Sequence, residues 1–146
     1  MKVKDIMKKN IRSLSPDANA QEALVLLQKM QISGLPVIDD KNKLAGMFTE
    51  KEVLTAILPS YLERVGRFTY QENPKAVKQK TITFRNLKVK EVMRHNVVSV
   101  DEDTTLCEAA HIMLTQKARR LPVLNKTKEV VGIISRADVL EALFKE

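Results

Sequence analysis

Residues 121–140 read LPVLNKTKEVVGIISRADVL, and residues 35–54, 86 positions earlier, read LPVIDDKNKLAGMFTEKEVL. Each begins with a short apolar run (121–124; 35–38), crosses a polar stretch (125–128; 39–42) and enters a second apolar run (130–134; 44–48). Two such runs joined by a few turn-forming residues predict a β-hairpin. Helical segments follow at 136–144 and 50–58, so each hairpin hands its second strand to a helix.

The correspondence extends outward from the hairpins. A shift of 86 superposes residues 3–58 on 89–144 without a gap, and 15 of the 56 aligned positions are identical. Val3/Val89, Met7/Met93, Asn10/Asn96, Ser13/Ser99, Glu22/Glu108 and Gly46/Gly132 are among them. Chance does not produce this. Two copies are too few for an extended solenoid, so closure of one copy on the other is the expected way to complete a core. Ahead of each hairpin lie an extended stretch (11–14; 97–100) and a helix beginning at Asn19 or Thr105. Asn19 with Glu22, and Thr105 with Glu108, have the spacing of a capping box. Ala20, Ala23, Leu24 and Leu27 recur at helical spacing, as do Leu106, Ala109, Ala110 and Met113, which predicts the packed face. Each copy therefore reads β-α-β-β-α, and the fold class is α+β.

The chain divides into repeat 1 (1–58), a connector (59–88) and repeat 2 (89–146). Repeat 1 carries nine bases and seven acids, and repeat 2 nine of each. The connector, with seven bases and two acids, holds five of the seven net positive charges. Pro59 should end the preceding helix, and Asn73-Pro74 marks a turn. Tyr61, Leu62, Val65 and Phe68 have the spacing of a short amphipathic helix, and 81–84 (Thr-Ile-Thr-Phe) reads as a strand. Arg64, Arg67, Lys75, Lys78, Lys80, Arg85 and Lys88 alternate with Tyr61, Phe68, Tyr70 and Phe84, a pattern able to meet phosphate and stack bases. A solvated basic loop accounts for the same residues, so nucleic acid is a secondary expectation.

Several function classes are excluded. The single cysteine, Cys107, rules out a disulfide framework, and His95 and His111 stand too far from partner ligands for a metal site. No Ser/His/Asp arrangement or glycine-rich phosphate loop appears among only four glycines, so no catalytic residue is expected. No apolar stretch approaches the roughly 20 residues that cross a bilayer. The charged start, with no signal-peptide core behind it, leads to the expectation of a cytoplasmic protein without a membrane partner.

The duplicated motifs resemble the CBS domain pair, often called a Bateman module. The marks are Val3-Lys4-Asp5-Ile6-Met7 and Val89-Lys90-Glu91-Val92-Met93 at the copy starts, and Ser15-Pro16-Asp17 before the first helix. Leu-Pro-Val opens each hairpin, and Gly46-Met47-Phe48-Thr49-Glu50-Lys51-Glu52-Val53 or Gly132-Ile133-Ile134-Ser135-Arg136-Ala137-Asp138-Val139 leads into each closing helix. The resemblance implies two tandem β-α-β-β-α CBS repeats packed about a pseudo-twofold axis, with clefts between the repeats. It further implies a homodimer, an unidentified effector protein, and AMP, ADP, ATP or S-adenosylmethionine as a regulatory ligand rather than an obligatory cofactor. Such pairs regulate catalytic domains in larger proteins, and none is expected here.

The candidate ligand residues follow from what a nucleotide asks of a protein. Ribose hydroxyls donate to a carboxylate, and phosphate oxygens seek cations and the N–H groups at a helix start. Ser135-Arg136-Ala137-Asp138 offers all of these at the strand-to-helix handover, and the family's Ser/Thr-x-x-Asp pattern implies Asp138 at the ribose and Ser135 and Arg136 at the phosphate. The same spacing also fits a plain helix cap, worth about 0.5–2 kcal/mol without any ligand. Arg119 and Arg120, just before Leu121-Pro122-Val123, shift the balance toward a phosphorylated ligand. Ser99, Val97, Pro122 and Val123 are further lining candidates, the apolar ones equally suited to the core. The first copy has Thr49 and Glu52 at the matching positions, Gly34 in place of Arg120, and Ser13 as its lining serine. Thr-x-x-Glu is a standard capping-box pattern, and the local acidity repels phosphate, so this second site is expected to be weak or empty. A dimerisation scaffold with vestigial clefts is the remaining alternative.

Overall fold

The computed structural model describes residues 1–58 and 74–145. The elements, in chain order, are α1 (Val3–Ile6), α2 (Ala20–Met30), β1 (Gly34–Ile38), β2 (Leu44–Thr49), α3 (Glu50–Ile57), α4 (Pro74–Phe84), α5 (Val89–Val92), β3 (Val100–Asp101), α6 (Leu106–Thr115), β4 (Arg120–Leu124), β5 (Val130–Ser135) and α7 (Arg136–Phe144). Both hairpins, both long helices and both closing helices lie where the sequence places them. One reading changes inside the connector. Residues 81–84 are helical, not extended: α4 opens at Pro74, whose missing N–H is one that a first helical turn leaves unpaired anyway. The β-branched Thr81 and Thr83 return their hydroxyls to the Val77 and Gln79 carbonyls one turn back, and Phe84 is buried at the helix end. The burial of Phe84 and the two hydroxyl-to-carbonyl bonds accompany a helix despite the β propensity of this tetrapeptide. The helix expected around Tyr61, Leu62, Val65 and Phe68 lies outside the described residues, as do Arg64, Arg67 and Tyr70.

The chain forms two compact units, and their boundaries do not follow the repeats. Unit 1 comprises Met1–Arg12, Ile38–Leu44 and Asn96–Glu146, whereas unit 2 comprises Ser13–Val37 and Ala45–His95. The start of each copy thus joins the body of the other.

In unit 1, β3, β4 and β5 form a sheet in that order, β3 parallel to β4 and β4 antiparallel to β5. A bulge between Val123 and Leu124 shifts the hairpin register. The core is Val3, Val100, Leu106, Ala109, Met113, Leu121, Val123, Ile134 and Val139. Val3, from the first copy, is fully buried there. Its short helix is fixed by Val3 N–H to Thr104 O at 2.8 Å and Lys4 N–H to Glu102 O at 2.9 Å. Beyond it, Lys8 and Ile133 exchange two backbone hydrogen bonds of 2.9 Å, adding a short edge to β5. Gly132 makes that approach possible, because a Cβ there would stand 2.7 Å from Met7 Sδ and 2.9 Å from Lys8 O.

Unit 2 repeats the arrangement with the copies exchanged. Its core contains Leu14, Ala20, Ala23, Leu27, Leu35, Val37, Phe48, Val53, Phe84, Val89, Val92 and Met93. Val89, the counterpart of Val3, is fully buried. Arg94 pairs with Met47 at the edge of β2, and Gly46 would clash with Arg94 O at 2.6 Å if it bore a Cβ. Lys4–Asp103 in unit 1 and Lys90–Asp17 in unit 2, both 3.0 Å, are the same ion pair 86 positions apart.

The helix starts differ from the expected boxes. Asn19 and Thr105 cap α2 and α6, accepting the N–H of Glu22 and Glu108. No reciprocal bond from either glutamate to its cap residue is present among the described residues. The carboxylates that do reach back to a cap N–H are Asp5 to Lys2, Glu91 to Lys88 and Asp138 to Ser135.

Candidate functional site

The β4–β5 register gathers five of the candidate residues at one end of the unit 1 hairpin. Arg120 lies directly opposite Ser135, and Arg136 N–H donates to Arg119 O at 2.9 Å. Ser135 ends β5 and caps α7: Asp138 N–H donates to Ser135 Oγ at 3.1 Å, and Ser135 N–H donates to Asp138 Oδ2 at 3.0 Å. The capping box is therefore real, and it uses one Asp138 oxygen, while Oδ1 has no hydrogen bond among the described residues. That side chain is only 10% exposed, with Lys8 Nζ 3.8 Å from Oδ1. Arg136 Nε donates to Ala118 O at 3.2 Å, which anchors the guanidinium and leaves its terminal nitrogens to donate elsewhere. Arg119, Arg120 and Arg136 are exposed, and none forms an ion pair with another described residue. The backbones of three arginines, a helix N-terminus and one largely buried carboxylate thus meet at one corner. Such a corner can take an anion and, beside it, a hydroxyl donor.

The other candidates are placed differently. Val97 and Ser99 are half-buried on the extended stretch before β3, whose Val100 pairs with Val123. Pro122 and Val123 are buried, and Val123 belongs to the core with no exposed surface. Its side chain packs the sheet in this structure.

The first-copy counterpart in unit 2 is not the capping box that its Thr-x-x-Glu spacing suggests. Thr49 forms no side-chain cap bond. Its hydroxyl donates to Glu52 Oε2, and Arg94 Nη1 stands 3.7 Å from Glu52 Oε1. The Glu52 carboxylate thus meets the Thr49 hydroxyl and Arg94 in place of the cap N–H. Gly34 has no room for a side chain, since a Cβ would fall 2.6 Å from Thr49 Cγ2. Ser13 is exposed on the stretch before Leu14. Sequence reasoning missed Lys8 and Arg94, although both copies place a cation at this position, directly after Met7 and Met93.

A cavity of about 280 Å³ lies elsewhere in unit 1, lined by Asp101, Glu102, Asp103, Leu124, Asn125, Lys126 and Lys128. It opens at the Leu124 end of β4, while the arginines stand at the Arg120 end, roughly 13 Å away at strand spacing. Of its acids, Asp103 is engaged: Lys4 binds it and holds that carboxyl below its ordinary range, first through the hydrogen bond and then through charge. No helix among the described residues is long and apolar enough to cross a membrane, and no described cluster of His, Cys, Asp or Glu is arranged to hold a metal ion.

The sequence model of the CBS domain matches residues 3–59 and 89–145. The chain belongs to the CBS domain family. As a CBS pair it is 32% identical, over 160 aligned positions, to the uncharacterised protein MJ1426 of Methanocaldococcus jannaschii, covering 98% of this chain and 91% of that protein. It is also 31% identical to inosine-5'-monophosphate dehydrogenase of the same organism, covering 96% of this chain but 23% of the enzyme. The chain thus spans under a quarter of the dehydrogenase, and that activity is not transferred to it. Among solved structures, CBSX2 of Arabidopsis thaliana in complex with AMP superposes with a TM-score of 0.75 at 27% identity, covering 99% of this CBS pair and 96% of that chain.

Proposed function

We propose that this CBS pair is a non-catalytic regulatory module that binds an adenosine nucleotide, AMP foremost, where β5 passes into α7. The observation that carries the reading is the collection of Arg119, Arg120 and Arg136, free of carboxylate partners among the described residues, around the Ser135–Asp138 turn. Three unneutralised cations exceed what a helix cap requires and suit a phosphate. Asp138 Oδ1 is the acceptor for the ribose, and Arg119, Arg120 and Arg136 meet the phosphate. The 27% identical CBSX2, solved with AMP, supports the choice of ligand. Thr49, Glu52, Ser13 and Gly34 make at most a weak second site, because the Glu52 carboxylate is engaged by Thr49 and Arg94 and no arginine stands at position 34. Exposed Leu140, Leu143 and Phe144 on α7 support a homodimer. The nucleic-acid reading is weaker than the connector composition suggests, since Phe84 is buried and Lys88 is paired with Asp17.

A thermal-shift screen of AMP, ADP, ATP, S-adenosylmethionine and cyclic dinucleotides tests the proposal, repeated on Asp138→Asn. Asparagine can keep the cap to Ser135 N–H while losing the charge, so the variant should fold normally and lose the stabilisation that the ligand confers on the parent. Stabilisation by none of these compounds returns the chain to the scaffold reading. Equal stabilisation of variant and parent moves the site away from Asp138.

A further inference from the structure

The Asp138 carboxylate serves two neighbours. Oδ2 is held by Ser135 N–H at 3.0 Å, and Oδ1 faces Lys8 Nζ at 3.8 Å. The lysine stands on backbone that cannot drift, because Lys8 and Ile133 exchange two hydrogen bonds and Gly132 lets Lys8 O approach closely. Its side chain remains 76% exposed and free to adjust. The relation recurs in unit 2, where Arg94 stands 3.7 Å from Glu52 Oε1. Positions 8 and 94, like 52 and 138, are 86 apart. A pairing repeated with different side chains follows from the fold rather than from one rotamer.

A gap of 3.8 Å is too long for a direct hydrogen bond and slightly short for a bridged one. An ammonium and a carboxylate oxygen joined through a single hydroxyl, with ordinary bond lengths and a near-tetrahedral angle, stand about 4.6 Å apart. An exposed lysine covers the difference with a small rotation. Only some groups suit both sides of such a bridge. A hydroxyl donates to the carboxylate and accepts from the ammonium. An ionised phosphate oxygen has no proton to donate to Asp138, and a protonated amine has no lone pair to offer Lys8.

We propose that Lys8 and Asp138 together read a ribose hydroxyl of the bound nucleotide, making Lys8 a sugar-specificity residue supplied by the start of the first copy. The inference rests on the nucleotide reading above. Calorimetric titration of the full chain and of Lys8→Met, each with AMP and with 2',3'-dideoxyadenosine monophosphate, tests it. The parent should prefer AMP by about tenfold or more, the scale of one or two hydrogen bonds to charged groups. Lys8→Met should reduce that preference to about threefold, by losing affinity for AMP while binding the dideoxy ligand within about twofold of the parent. Equal weakening of both ligands would mean that Lys8 meets the phosphate, and unchanged affinity for both that it meets nothing; either overturns the inference alone. A parent chain with no affinity for AMP, or no preference between the two ligands, overturns the ribose role of Asp138 as well.

Discussion

Arg120 faces Ser135 across the β4–β5 ladder, and the position matching Arg120 in the other copy is Gly34, whose absent Cβ would lie 2.6 Å from Thr49 Cγ2. The two differences belong together. A methyl group at position 49 demands glycine at 34, while the smaller Ser135 coexists with a long cation at 120. One copy thereby carries a cation on the strand residue opposite its cap, and the other has no room for a side chain at that position.

That coupling predicts the effect of filling position 34. Gly34→Ala should destabilise the protein by about 1–3 kcal/mol, the usual range for forcing atoms into a packed site. Adding Thr49→Ser removes the nearest clashing atom and should recover a large part of the loss. Urea denaturation of the two variants measures it, and equal stability of single and double variants would separate the positions energetically.

The exchanged N-terminal segment should behave as core, not as an arm. Val3 is fully buried, so Val3→Ala should cost about 2 kcal/mol. Gly132→Ala should also destabilise, because the added Cβ meets Lys8 O, a backbone atom that cannot rotate away. Denaturation midpoints at unchanged slope are the measurement. A silent Val3→Ala would show the segment to be dispensable.

Charge at the corner should appear in ligand choice. Arg120→Ala should weaken AMP by about tenfold and leave adenosine nearly untouched, since a charge-assisted bond to phosphate is worth roughly 1.5–3 kcal/mol. Titration with both ligands, at two salt concentrations, checks this. Equal loss for nucleoside and nucleotide would place Arg120 away from the phosphate.

The Lys4–Asp103 pair carries a pH signature. The hydrogen bond and charge of Lys4 lower the Asp103 pKa below its ordinary value of 3.8. Its contribution is thus fully present above that ordinary value and disappears as pH falls through the lowered one. Asp17, lowered by Lys90, acts with the same sign in unit 2. Lys4 is raised above 10.5, so its share is present below that value and lost as pH rises through the raised one. Stability measured from pH 6 to pH 2 should fall less steeply in Asp103→Asn than in the parent.

Much of this architecture was legible because a repeat supplies its own control. The hairpins and closing helices stood out in both copies, where alternation and turn residues agreed, and α7 occupies the expected residues. The arginines and the Ser135–Asp138 turn could be grouped because strand register follows from the hairpin. Other features were not readable. Val3–Ile6 and Val89–Val92 are single turns, too short to show a helical period. Nor could the exchange of copy starts be seen, since both copies begin alike and either start could serve either core. Ser-x-x-Asp and Thr-x-x-Glu looked like variants of one cap, yet Glu52 meets a hydroxyl and Arg94 while Asp138 stays on the cap N–H.

Because Val3 completes one core and Val89 the other, severing the chain at the connector would not liberate two self-sufficient folds. Each half would lack a hydrophobic plug that only its sibling carries. The halves, produced separately and mixed, should therefore be poorly ordered alone and regain structure through mutual complementation. The duplication thus left the repeats dependent on each other, as no simple string of two autonomous modules would be.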